Sequence, residues 1–167
     1  LGLNPEEKFA MSEEVFAHVR AVKDRGMAAH TEWNKKFDSW KSANADKAKL
    51  LERLVKGELP AGWDKALPVF ESGKDVATRA ASGHVINAIA DVLPEFWGGS
   101  ADLADSNNTT IEGGKSFLPA SSTMKDADPY GRIIHFGIRE HAMGSIINGI
   151  TLHGLTRTFG GTFAVFS

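Results

Sequence analysis

Arg132-Ile133-Ile134-His135-Phe136-Gly137-Ile138-Arg139-Glu140-His141-Ala142-Met143-Gly144 changes its hydrophobic period part-way along. Ile133, Ile134 and Phe136 form a short apolar run that reads as a buried parallel strand, and Gly137 lets the chain turn out of it. A helix pattern follows at once. Ala142, Met143, Ile146, Ile147 and Ile150 recur at the spacing of one helical face, which puts Arg139, Glu140 and His141 in the first turn. Three ionisable side chains therefore stand at the carboxyl end of a strand, where open α/β sheets bind ligands. Two effects oppose each other at Glu140. The N–H groups of the first turn favour the carboxylate, while burial among Ile and Phe favours the neutral acid that exchanges a proton with a bound heterocycle. The competing reading is a carboxylate that only complements the helix dipole. His141 reads as a polar residue packed near a strand end rather than as a ligand.

Elements of the same kind lie on both sides. Asp75 or Thr78 opens a helix with Val85, Ile86, Ile89 and Ala90 on one face, closed before Pro94. Phe96 to Asp102 reads as a strand whose Gly98 and Gly99 mark close approach or a bend, followed by a polar loop to Asn108. Gly113 to Tyr130 reads as irregular. After Gly154 a further run, Leu155 to Phe159, leads into Gly160-Gly161-Thr162-Phe163. This alternation implies the α/β class, as a partial doubly wound parallel sheet with covering helices.

The first 73 residues follow a different pattern. Leu1 to Phe9 reads as irregular, and Ser12 is placed to cap a long helix carrying Val15, Phe16, Val19, Val22, Met27, His30, Trp33, Phe37 and Trp40, with a weak point at Gly26. The stripe Trp33, Phe37 and Trp40 is expected to be buried against the rest of the protein, with His30 a satisfied helix histidine beside it. Asn44 is expected to cap a second helix carrying Leu50, Leu51, Leu54 and Val55, ended by Gly57. Glu58 to Gly73 is rich in Pro and Gly and reads as a linker lying against a surface through Trp63 and Phe70. A boundary near Gly73 divides the chain into an α-helical segment, 1–73, and an α/β part, 74–167.

Composition narrows the function classes. A chain of 167 residues suits one domain with an appendage, and a net charge of -2 gives no electrostatic reason to expect nucleic acid or an acidic membrane as partner. With no cysteine there is neither a disulfide nor a thiolate zinc site, which agrees with a cytoplasmic location. No apolar run reaches membrane-spanning length, and the histidines form no helical metal-ligand pair, so no metal site is expected. The start at Leu1 and the stop on an apolar run at Ser167 read as a segment cut from a longer chain. The dinucleotide fingerprint, the Walker loop and the serine nucleophile elbow do not occur.

Three loops at strand ends converge in such a fold: Asp102 to Asn108, Gly137 to His141, and Gly160 to Phe166. Phe163 and Phe166, three apart, can present ring faces to a flat heterocycle, or can simply pack in the core. Arg79 stands in a first helical turn, where a cation opposes the macrodipole; it reads as a binder of phosphate or carboxylate, or as an exposed arginine. Ser106 can donate its hydroxyl to the same anion, or shape the turn beside Asn107.

Four blocks together resemble the transketolase family: Gly98-Gly99-Ser100-Ala101-Asp102-Leu103, Gly137-Ile138-Arg139-Glu140-His141-Ala142-Met143-Gly144, Asn148-Gly149-Ile150, and Gly160-Gly161-Thr162-Phe163. The likeness is close from about Asp75 onward. Residues 1–73 resemble the helical connection that precedes the family's second domain, which binds the aminopyrimidine half of thiamine diphosphate. The resemblance implies that Glu140 bonds the aminopyrimidine ring nitrogen and activates the cofactor, and that Phe166 packs against that ring with Phe163 beside it. It implies further that Arg79 and Ser106 hold the phosphate of the sugar substrate and that Asp102 lines the cofactor site. The implied reaction moves a two-carbon ketol unit from a ketose phosphate to an aldose phosphate, in a homodimer with the cofactor between subunits.

There are also departures from the family pattern. No Gly-Asp-Gly segment occurs, so the magnesium and diphosphate ligands are expected outside this chain. The expectation is a transketolase piece that needs the remainder of its chain and has no ketol transfer activity alone. Within enzymes the rival is deoxyxylulose-phosphate synthase; Arg139-Glu140-His141 and the Gly160 to Phe163 block favour transketolase. The rival of another class is a non-catalytic interaction module docking through the aromatic face of the first helix.

Overall fold

The computed structural model describes Gly2 and residues 4–166. Leu1, Leu3 and Ser167, at which the expected irregular start and the final apolar run begin or end, lie outside the described residues. The helices are α1 (Glu13–Ala43), α2 (Ala45–Val55), α3 (Thr78–Val92), α4 (Ala104–Asn107) and α5 (Glu140–His153). The strands are β1 (Phe96–Ser100), β2 (Ser116–Phe117), β3 (Ala127–Asp128), β4 (Ile133–His135) and β5 (Arg157–Gly161). Short 3-10 turns occupy Trp63–Ala66 and Ala164–Phe166. No described helix is long and apolar enough to cross a membrane. The chain divides into two compact units, Leu1–Lys49 and Leu50–Ser167.

In the first unit the Ser12 side chain accepts the Val15 N–H at 3.3 Å, and Glu13 and Glu14 complement the helix dipole. The helix passes unbroken through Gly26, where the expected weak point does not interrupt it. The aromatic stripe departs from expectation. No residue of α1 is buried, and Trp33 is 55% exposed. The rings of His30, Trp33, Phe37 and Trp40 instead stack on one another in series, with centroids 6.3, 4.8 and 5.7 Å apart. Spacing by three and four decides which side chains share a face; it does not decide what covers that face. Asn44 divides its work between two helices. Its side-chain Nδ2 donates back to the Trp40 carbonyl at 2.9 Å, closing α1, while its own carbonyl accepts the Ala48 N–H of α2 at 2.9 Å.

The second unit is built on a five-stranded parallel sheet in the order β3-β2-β4-β1-β5. Adjacent residues on β4 point to opposite faces. Ile133 joins Ile86 and Ala90 of α3, with Phe96 and Phe159 against them, while Ile134 packs with Phe136, Met143 and Ile147 on the α5 side. The sheet is thus covered on both faces, the doubly wound arrangement expected. Gly99 is required by close approach, since a Cβ there would run into the Ile134 carbonyl. The expected irregular region holds two strands of two residues each. β2 pairs with β4 through Ser116 and Ile133 and with β3 through Ser116 and Ala127; runs this short carry no readable period.

At the amino end of the sheet, Arg53 of α2 grips Glu95 with both terminal nitrogens, each at 2.8 Å, and the Arg157 Nε lies 3.8 Å from the same carboxylate. The Glu95 side chain is only 2% exposed. Burial pushes this carboxyl up, but the Arg53 hydrogen bonds, a backbone hydrogen bond of its own and the charges of Arg53 and Arg157 outweigh it, so the group titrates below the ordinary carboxylate range.

Candidate functional site

The carboxyl ends of β1, β4 and β5 bring the three expected loops together. From β4 the chain turns at Gly137, whose φ of 67° lies in the left-handed region, and enters α5 with Arg139 as its cap residue. Arg139 turns back on this corner, its Nη1 donating to the Phe136 carbonyl at 2.9 Å. Glu140 is the first residue of α5. It is half-buried and lines a cavity of about 370 Å³ with Ala101, Asp102, Leu103, Ile138 and Phe166. The Thr162 hydroxyl donates to Glu140 Oε1 at 3.4 Å. This is a mainly apolar slot with two carboxyl groups and one aromatic ring, chemistry that suits a flat heterocycle with a basic nitrogen.

Asp102 holds a φ of 63°. A left-handed residue other than glycine at a strand end costs of order 1 kcal/mol and is concentrated at functional sites. Phe163 and Phe166 lie 6.2 Å apart with planes tilted 54°. Neither is a core residue. Phe166 is 54% exposed and faces the Glu140 cavity, whereas Phe163 is half-buried and lines a second cavity of about 660 Å³ beside Arg79, Ser82 and Thr162.

Arg79, exposed in the first turn of α3, donates from Nη1 to the Ser106 carbonyl at 3.3 Å. The two residues expected to share an anion are therefore in contact, though through the Ser106 backbone. Ser106 itself lines a third cavity, of about 510 Å³, with Asp102 and Arg139. His141 is exposed. Among the described residues no three His, Cys, Asp or Glu side chains cluster so as to hold a metal ion. Thr162 is the residue sequence reasoning passed over. Its signal was a hydroxyl directly after the Gly160-Gly161 pair that ends β5, but only the fold sets it against Glu140.

Comparison with known proteins identifies the family. Residues 74–167 match the family model described as transketolase, pyrimidine binding domain, and residues 1–60 match the one described as transketolase, thiamine diphosphate binding domain. The transketolase of Mycobacterium tuberculosis is 52% identical over all of this chain, which covers 24% of that protein. The transketolase of Geobacillus stearothermophilus is 49% identical over 96% of this chain and 23% of its own length. The crystal structure of a Pichia stipitis transketolase complex with sedoheptulose-7-phosphate superposes with a TM-score of 0.85 at 41% identity, over 97% of this chain and 24% of that one. The chain spans about a quarter of the length of the relatives it matches. With more than half of its residues matched by one family model, this chain belongs to the transketolase family.

Proposed function

We propose that this chain forms part of a thiamine diphosphate-dependent transketolase, moving a two-carbon ketol unit between sugar phosphates, with Glu140 as the catalytic group. In this reading residues 74–167 belong to the pyrimidine-binding domain, and residues 1–73, of which 1–60 match the model of the thiamine diphosphate binding domain, are the helical segment joining the two domains. The working protein is a cytoplasmic homodimer that includes the remainder of the chain. The observation that carries the proposal is the Glu140 carboxyl at the wall of a slot completed by Asp102 and the Phe166 ring. Support for a sugar phosphate substrate comes from the related Pichia stipitis complex with sedoheptulose-7-phosphate.

The slot suits an aminopyrimidine: Ala101, Leu103 and Ile138 line it with apolar surface, and a carboxyl is available to a ring nitrogen. Bound thiamine diphosphate supplies the carbon nucleophile and the electron sink for breaking and re-forming the ketol carbon–carbon bond. Glu140 then holds a proton between its carboxyl and the ring nitrogen. The Thr162 hydroxyl, 3.4 Å from Oε1, would help orient the carboxyl toward that nitrogen. Phe166 would pack on the ring and Asp102 would line the slot, with Phe163, 6.2 Å from Phe166, on the adjoining cavity. Arg79 and Ser106 hold the substrate phosphate, the guanidinium by charge-assisted hydrogen bonds. The diphosphate and its magnesium are assigned to residues outside those described.

Glu140→Gln, in the protein as its gene encodes it, tests this. Loss of a general acid or base of this kind lowers the rate by about 10²- to 10⁴-fold. Hydrogen–deuterium exchange at the cofactor's thiazolium carbon should fall by that factor while thiamine diphosphate still binds. An unchanged exchange rate would favour the interaction-module alternative and sink the enzyme reading.

A further inference from the structure

Ser100, the last residue of β1, is 4% exposed and polar, and no step above uses it. Its hydroxyl donates to the Gly161 carbonyl at 3.0 Å and accepts the Leu103 N–H at 3.0 Å. One small side chain thus uses its donor and one lone pair to join two walls of the Glu140 slot. On one side is the loop carrying Asp102 and Leu103. On the other is the end of β5, where Gly161 precedes Thr162 and the turn carrying Phe166.

A second buried group makes a parallel tie. With its amide oriented to satisfy both ends, Asn107 donates to the Leu103 carbonyl at 2.6 Å and to Thr109 Oγ1 at 3.2 Å, and its oxygen accepts the Thr162 N–H at 3.2 Å. The Thr162 backbone is therefore fixed from Asn107 and its neighbour Gly161 from Ser100, and the Thr162 hydroxyl reaches Glu140 Oε1. A buried hydroxyl is retained at little cost only where its hydrogen bonds are made, and here one closes the Asp102 loop onto the end of its own strand while the other crosses to the end of β5.

We infer that Ser100 is a positioning residue for the Glu140 site, setting the spacing between the Asp102 loop and Thr162 and hence the seat of the Glu140 carboxylate. The inference rests on the proposed function for what the slot binds. Its test is Ser100→Ala in the protein as its gene encodes it, made in both the wild-type and the Glu140→Gln backgrounds. Ser100→Cys, which fills the same space with a weak donor, serves as second variant. Calorimetric titration with thiamine diphosphate and magnesium reads affinity, and exchange at the thiazolium carbon reads cofactor activation.

Loss of one neutral hydrogen bond corresponds to about a three- to tenfold change. Both Ser100 variants should weaken cofactor binding by that factor, and should slow exchange by a similar factor when Glu140 is intact but not in the Glu140→Gln background. A lowered melting temperature with affinity and exchange unchanged would reduce Ser100 to a structural residue and overturn the inference. Equal proportional losses of exchange in both backgrounds would do the same. Glu140→Gln exchanging at the wild-type rate would overturn the functional reading and this inference with it, whereas an inactive Glu140→Gln beside an unaffected Ser100→Ala overturns the inference alone.

Discussion

Glu95→Gln tests the ion pair at the amino end of the sheet. Arg53 meets both Glu95 oxygens at 2.8 Å, with side-chain exposures of 18% and 2% for the two partners. The glutamine keeps the volume and one acceptor but leaves the Arg53 charge without its counter-charge. Removing one partner of a buried pair costs about 3 to 5 kcal/mol. Because Arg53 keeps some hydration and glutamine keeps one hydrogen bond, the low end, about 3 kcal/mol, is expected at neutral pH. The pH dependence has a definite sign. The folded protein holds Glu95 below its ordinary value of 4.5, so its contribution is fully present above that pH and is lost as pH falls through the lower, folded-state value. Urea unfolding of wild type and variant, followed by far-ultraviolet circular dichroism over a series of pH values, should show a constant gap near neutrality that narrows in acid. A gap below about 1 kcal/mol at neutral pH, the range of an exposed pair, would refute the assignment. So would a gap that widens as the solution is acidified.

Three further substitutions probe the sheet, an exposed helix position as its control, and the proposed anion site. Gly99→Ala drives a Cβ into the Ile134 carbonyl, a backbone atom that cannot swing aside, and should cost about 3 kcal/mol or more by thermal unfolding. Its control is Gly26→Ala, where open space surrounds the site and the gain in helix propensity should stabilise by about 1 kcal/mol. Arg79→Ala should raise the KM for a sugar phosphate about ten- to hundredfold, the worth of hydrogen bonds to a charged group, with little change in cofactor affinity. An unchanged KM would remove Arg79 from the proposed phosphate site.

By itself, the sequence determined the local grammar of this protein. The change of period after Phe136 set β4 against α5 and put Glu140 at their junction, because strand and helix repeats are written into neighbouring residues. The blocks around Gly98, Glu140 and Gly160 carried the family. Elements too short to repeat left no such mark, which is why β2 and β3 lay hidden in a region expected to be irregular.

Tertiary structure decided everything that joins distant residues. Ser100 meets Gly161 across 61 positions, Arg53 meets Glu95 across 42, and Thr162 meets Glu140 across 22. The burial expected for the Trp33 to Trp40 stripe failed for the same reason: periodicity names a face, while only packing says whether another surface covers it. A hydrogen bond or a covered face depends on two pieces of chain arriving together, and a one-dimensional pattern describes each piece alone.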